Sequence, residues 1–222
     1  AAYVANAHGP DASYYNPARM ALNEGGAQLS GDLTLVHLPR INFSGTQSPP
    51  FALPDTLADD SSQVGNILIP TFHYVSPLVG DARFGLSIVT PGGLSKRWEG
   101  YGAGSAEEFS LRTVEINPTI GYRLSDRLAI GGGLRMLYSD GVVKSTQPGR
   151  YFRDLEGDSI DFGYNLAVHY DPSDMVSFAV TYRSRIDMTV EGDARLGFGS
   201  TTLYDGGASV EVPLPAALAV AG

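Results

Sequence analysis

Between Ser159 and Tyr170 the chain reads SIDFGYNLAVHY, and Ile160, Phe162, Tyr164, Leu166, Val168 and Tyr170 take every second position. Ser159, Asp161, Gly163, Asn165, Ala167 and His169 fill the places between. Successive strand side chains point to opposite faces, so this run makes a ribbon with one bulky apolar side and one small or polar side. The apolar side must be covered, either by protein or by lipid. A soluble antiparallel sheet would give the same pattern, so the choice rests on the rest of the chain.

The pattern recurs in seven segments, with an eighth beginning at Ser209 to Leu214. Ala27 to Leu35, Ile67 to Val75 and Phe84 to Ile88 come first, followed by Phe109 to Leu124 and Leu128 to Val143. The seventh runs from Met175 to Glu191. There Val176, Phe178, Val180, Tyr182, Ile186, Met188 and Val190 are assigned to the apolar face, and Arg183, Arg185, Asp187 and Glu191 to the polar one. Connections at Pro77 to Asp81, Ser125 to Arg127 and Asp171 to Asp174 are short. Those at Ser44 to Asn66, Pro91 to Glu108, Lys144 to Asp158 and Asp193 to Ala208 are long. Strict alternation of short and long places all tight turns on one side of a meander and all long loops on the other, the layout of outer-membrane barrels.

Three features favour lipid over protein as the cover. Several segments match or exceed the roughly 9 to 11 residues that cross a bilayer at a tilt. Tyr74, Tyr122 and Tyr170 lie on the apolar face just before a short turn, and Phe84 and Phe178 lie on it just after one, as an interfacial girdle requires. The polar face carries Arg, Asp and Glu, which the apolar interior of a soluble ligand cup would not tolerate. The expected fold class is therefore all-β: a transmembrane antiparallel up-and-down β-barrel. Phe162 then faces lipid and Asn165 a polar lumen, so Phe162→Arg is expected to cost about 2 to 4 kcal/mol at mid-bilayer while Asn165→Arg is mild.

Composition narrows the function. Fifteen basic against 24 acidic residues give a formal charge of -9, which leaves no basic stripe for nucleic acid. The absence of cysteine removes disulfides, thiolate nucleophiles and Cys-based metal sites. No run approaches the roughly 20 apolar residues of a membrane helix, and AAYVANAHGP lacks the layout of a signal peptide. His8, His37, His73 and His169 are scattered without i, i+4 pairing, so no metal and no cofactor is expected. Gly131, Gly132 and Gly133 lie inside a strand and are read as room for close approach, not as a phosphate loop. The acidic run Asp154 to Asp161 is read as a solvated loop, with a calcium site or lipopolysaccharide counter-ions as the alternative.

Residues 1–25 do not alternate. DASYYNPARMALNE has a helix-start signature, with Asn16 as N-cap and Pro17 at the first helical position. Before the first strand of a barrel such a segment is a plug in the lumen, and residues 26–222 then form the wall. The opening AYVANAHGPDASYYNPARMAL, then IPTFHYVSPL, FGLSIVTPGGL, INPTIGYRLSDRLAIGGGLRMLY, and FGYNLAVHYDPSD running into FAVTYRSRIDM together resemble the FadL/TodX family of outer-membrane hydrophobic-compound transporters.

That resemblance implies part of a 14-stranded barrel blocked by an N-terminal hatch. It further implies capture of hydrophobic molecules, such as long-chain fatty acids, at external loops, and sideways release into the membrane at a kink in the third strand. The hatch motif falls on Asn16, Pro17 and Ala18, and the lateral opening on Thr90, Pro91, Gly92 and Gly93. The inner pocket falls near Val143. A basic residue that holds the carboxylate in fatty-acid transporters falls near Ser145, so a neutral hydrophobic compound competes as substrate. Trp98, Tyr101 and Phe109, in and around a long loop, are the candidates for apolar capture, with interfacial anchoring as the plainer explanation. Implied partners are the hydrophobic solute, outer-membrane lipid and lipopolysaccharide, with the full-length protein a monomer. A plug-free porin and an outer-membrane hydrolase are the rivals; the hydrolase lacks an evident nucleophile arrangement.

Overall fold

The computed structural model describes residues 2–47, 56–99, 107–147 and 151–222. Three short helices, α1 (Ala2–Ala5), α2 (Ala12–Tyr15) and α3 (Pro17–Leu22), precede thirteen strands. These are β1 (Gln28–Leu38), β2 (Asn42–Gln47), β3 (Thr56–Ser61), β4 (Gly65–Val75), β5 (Ala82–Val89), β6 (Gly93–Arg97), β7 (Glu108–Ser125), β8 (Leu128–Gln147), β9 (Tyr151–Ser173), β10 (Val176–Arg183), β11 (Ile186–Phe198), β12 (Thr201–Leu214) and β13 (Ala217–Ala221). All pairings are antiparallel, in the order β1-β4-β5-β7-β8-β9-β10-β13. Strand β6 continues β5 alongside β7, and β11 continues β10 alongside β9 and β12, while β2 and β3 form a separate hairpin. The wall is a curved part of a barrel that is not closed within this chain.

Burial is inverted relative to a soluble protein. Phe162 is 70% exposed, and Leu29, Leu134 and Leu166 are likewise on the outside. Glu115, Asn117, Ser87 and His169 are fully buried on the inner face. On β9 the outward apolar positions run from Ile160 to Tyr170. At about 3.3 Å per residue and a tilt near 40°, that stretch rises about 25 Å, the height of the apolar band of an outer-membrane barrel. Beyond it the outward residues are Asp158, Glu156 and Asp154.

The helical segment packs against the inner face of β5, β7, β8, β9 and β10. Asn16 accepts the Arg19 amide at 3.1 Å as N-cap, and Pro17 needs no N–H at the first helical position. Gly121 and Gly131 let α3 lie on the wall: a Cβ there would come within 2.2 Å of the Pro17 carbonyl oxygen and 2.5 Å of the Ala18 nitrogen. The C-terminal carbonyls of α3, which lack helical partners, are taken by arginines of the wall. Arg83 donates to the Met20 oxygen (3.3 Å), and Arg123 donates from Nε and Nη2 to Ala21 (3.2 and 3.0 Å).

Four sequence expectations are corrected. The long connections after β8 and β11 are mostly ladder, because β8 and β9 pair out to Gln147 and Tyr151, and β11 and β12 join across Gly199 and Ser200. The acidic run Asp154 to Asp161 therefore lies in a strand, not a loop. The eighth strand starts at Thr201 rather than Ser209, and β13 resumes it after Pro215. Finally, the seventh strand breaks at Ser184 and Arg185, and its faces exchange. Ile186 and Met188 are buried inside (1% and 3% exposed), whereas Arg185, Asp187 and Glu191 are exposed.

Candidate functional site

Among the described residues, two stretches inside the wall stand out for losing their ladder with a neighbouring span. In the third span, β5 pairs with β7 up to Val89–Glu115 and β6 resumes at Gly93–Arg112. Three residues, Thr90, Pro91 and Gly92, thus oppose two, Thr113 and Val114, which is a bulge of one residue. Pro91 has no donor to lose there, and the Gly92 nitrogen donates to Thr113 Oγ1 at 3.1 Å. On its other side this span leaves β4. Their ladder ends at Phe72–Ile88, and backbone pairing returns at the Ser62–Trp98 bridge and the Gln63 N–H bonded to the Arg97 oxygen (2.8 Å), with Lys96 Nζ donating to the Gln63 oxygen at 3.4 Å. Between those points Val64 to Thr71 has no ladder with Val89 to Lys96.

The second irregularity separates β9 from the seventh span. Pairing holds at Asn165–Arg183 and returns at Asp158–Glu191. Seven residues, Ser184 to Val190, face six, Ser159 to Tyr164. The odd residue is why the faces exchange: a slip of one moves every side chain to the other side.

Between the helical segment and the wall lies a charged cluster. Glu115 is fully buried and accepts from Arg135 Nε (3.0 Å) and Nη2 (2.8 Å) and from Arg183 Nη2. Arg183 also donates to the Tyr14 carbonyl oxygen at 3.0 Å, and its guanidinium carbon lies 3.8 Å from the centre of the Tyr14 ring. Burial pushes the Tyr14 hydroxyl above its ordinary value. At the short-turn end, Asn16 Nδ2 donates to the Val4 oxygen (2.8 Å) and reaches His169 Nδ1 (3.2 Å). The Arg19 amide occupies Asn16 Oδ1, so Nδ2 is the donor toward His169 Nδ1, while His169 Nε2 lies 2.8 Å from Asp171 Oδ1 and 2.9 Å from Arg19 Nη1. Arg19 and Ser177 both donate to Asp171. Ser177 is bonded to the carboxylate rather than to the imidazole, an order unlike that of a hydrolytic triad. Among the described residues no group of three His, Cys, Asp or Glu side chains is placed to hold a metal ion.

The residues singled out from sequence are distributed as follows. Asn16, Pro17 and Ala18 are buried at the lumen floor. Thr90, Pro91 and Gly92 form the bulge, and Gly93 opens β6. Phe109 and Val143 are directly opposite each other and alternation from Glu115 and Arg135 puts both on the inner face, with Leu155 next in the row. Trp98 follows β6, two residues beyond Lys96, which pairs with Phe109. Tyr101 lies outside the described residues. Arg153 was not singled out. It sits across from Ser145 and donates to the Ser145 hydroxyl at 3.0 Å, so the inner face carries a cation where position 145 itself has none. Only the cross-strand register could have revealed it. Lys144 turns away and pairs with Asp154 at 3.6 Å. Asn165 is 2% exposed, bonded to Asn117 Oδ1 at 3.3 Å, and has no room for arginine, contrary to the expectation of mild substitution.

An antiparallel wall with an apolar exterior, a polar interior and a helical segment packed on its inner face defines part of an outer-membrane β-barrel. The whole chain, residues 1–222, matches the model of the outer membrane protein transport protein family (OMPP1/FadL/TodX), and the chain belongs to that family. It is 25% identical over 153 residues to a long-chain fatty acid transport protein of Escherichia coli O6:H1, covering 56% of this chain and 34% of that one. A long-chain fatty acid transport protein of Salmonella typhi is 24% identical over 180 residues, covering 70% and 40%. Among solved structures, the Ralstonia pickettii toluene transporter TbuX superposes with a TM-score of 0.71 at 17% identity, covering 96% of this chain and 62% of that one. A Pseudomonas aeruginosa FadL homologue gives 0.64 at 19% identity, covering 86% and 50%. The chain thus spans about a third to two fifths of the curated relatives and half or more of the solved ones.

Proposed function

We propose that the protein moves hydrophobic carboxylates across the outer membrane. They are captured on the inner face near Phe109, Val143 and Leu155, with Arg153 facing the head group. Passage is gated by the segment bearing Asn16, Pro17 and Ala18, and release is sideways at Thr90 to Gly93. The observation that carries this reading is the missing ladder between Val64–Thr71 and Val89–Lys96 beside a bulge of one residue. A wall opening that keeps its bulged strand bonded on the other side gives an apolar solute a route from lumen to lipid without passing through water. A simple porin is disfavoured by the helical segment bonded within the lumen.

A neutral aromatic solute is the second reading, favoured by the resemblance to toluene transporters in fold. Arg153 discriminates between the two. A charge-assisted hydrogen bond is worth about 1.5 to 3 kcal/mol, so Arg153→Ala in the full-length protein should slow uptake of labelled oleate about tenfold or more and leave toluene uptake unchanged. Equal effects on both solutes, or none on oleate, would remove the carboxylate from the proposal.

A further inference from the structure

We propose a second lateral port, between β9 and β11, that takes amphiphiles with an acyl chain; this rests on the transport reading above. The gap lies between Ser159–Gly163 and Arg185–Val190, two strands in from the free edge at β12. It differs from a frayed seam in how its ends are made. At its lower end the Ser184 nitrogen donates to the Tyr164 oxygen (2.9 Å), the Tyr164 nitrogen donates to Ser184 Oγ (2.9 Å), and Arg135 Nη1 donates to the Ser184 oxygen (2.7 Å). At its upper end the ladder from Asp158–Glu191 to Tyr151–Phe198 is unbroken. Polar side chains thus take up backbone groups of Tyr164 and Ser184 at the point where the ladder stops.

The seventh and eighth spans keep one register on both sides of the break, from Ala179–Ala221 through Arg183–Ala217 to Ile186–Leu214 and beyond. They form a continuous leaf that parts from β9 as a unit. Apolar groups line the way through. Phe162 and Ile160 are exposed on the outer rim, and Ile186 and Met188 close the inner side by packing on Leu137, with Val212 and Leu214 behind them. Gly163 makes this closure possible, since a Cβ there would come within 2.7 Å of Ile186 Cγ1. The opposite outer rim carries the exposed Arg185–Asp187 pair. One rim thus suits a chain and the other a polar head, the division an amphiphile has.

The port is joined to the first opening and to the lumen segment through one set of side chains. Arg135 holds both Ser184 and Glu115; Glu115 follows the Thr113–Val114 bulge partner and is shared with Arg183, which holds Tyr14.

The test is uptake of pyrenyl-dodecanoate by cells expressing the full-length protein, with heat-modifiable gel migration reporting the folded barrel. Deleting Pro91 removes the residue by which the third span exceeds β7 and so takes away the bulge of the first opening. The second port then leaves residual uptake, and adding Ile186→Ala with Met188→Ala raises that residue severalfold by removing its closure. Met188→Ala alone serves, with the same direction, if the double variant does not fold. Uptake abolished by the Pro91 deletion and not restored by either truncation overturns the port while leaving the transport reading intact. No protein-dependent uptake by the unaltered protein overturns the transport reading itself, and the port with it.

Discussion

Pro118 sits in a strand with partners on both sides, where a proline has no N–H to give. The register Ile116–Met136 and Thr119–Gly133 places it opposite Leu134, and the Leu134 carbonyl is satisfied by the side chain of Asn117 at 2.6 Å. Asn117→Ala should leave that carbonyl bare and cost about 1 to 3 kcal/mol in denaturant refolding into detergent micelles; unchanged stability would assign the carbonyl another partner. Glu115 is a sharper case, because two guanidinium groups depend on it. Removing one member of a buried ion cluster costs about 3 to 5 kcal/mol. Glu115→Ala should therefore lower stability by that order, and a Glu115→Ala, Arg135→Ala double variant by less than the two single losses summed. Strict additivity would show that the charges do not interact. Asn16 as a cap was legible in sequence from its place before Pro17. Glu115, Arg135 and Arg183 were legible only as polar-face residues, since nothing in spacing tells that three separate strands bring them to one point.

At the scale of elements, alternation is a reliable guide wherever a strand holds one register. In β9 every inward and outward assignment from Ser159 to Tyr170 agrees with the structure. In the seventh span the assignments agree from Val176 to Tyr182 and invert after Ser184, because one unpaired residue shifts the phase by a whole face. No proline or glycine marks that break, whereas Pro91 and Gly92 marked the other. The inversion has a direct consequence. Met188→Ala should create a cavity against Leu137 and cost about 2 to 5 kcal/mol, while Thr189→Ala, on the exposed outer face, should stay within about 0.5 kcal/mol. If the two losses were reversed in a refolding assay, Met188 would face lipid after all. Phe162→Arg, on the outer face near the middle of the band, should cost about 2 to 4 kcal/mol, with Phe162→Leu nearly neutral; equal costs would take that position out of the bilayer.

For the whole molecule, the distribution of side chains matters more than any one of them. Bulky apolar groups cover the outside, and the fully buried positions include Arg83, Glu115, Asn117 and His169. This arrangement is stable only where hydrocarbon replaces water outside and a bonded polar network fills the inside. The pattern was legible from sequence because it repeats in every span. The Arg153–Ser145 contact, the second break and the reach of the long-side hairpins were not, since each depends on register between strands distant in sequence. The central claim is that lipid covers the outer face, and a nitroxide scan of positions 159–170 in the full-length protein, reconstituted in lipid bilayers, tests it most directly. Labels at even positions should be reached by oxygen from the hydrocarbon and shielded from a water-soluble nickel chelate, with odd positions showing neither the oxygen signal nor period-two agreement with it. Even positions open to the chelate and closed to oxygen would contradict the account.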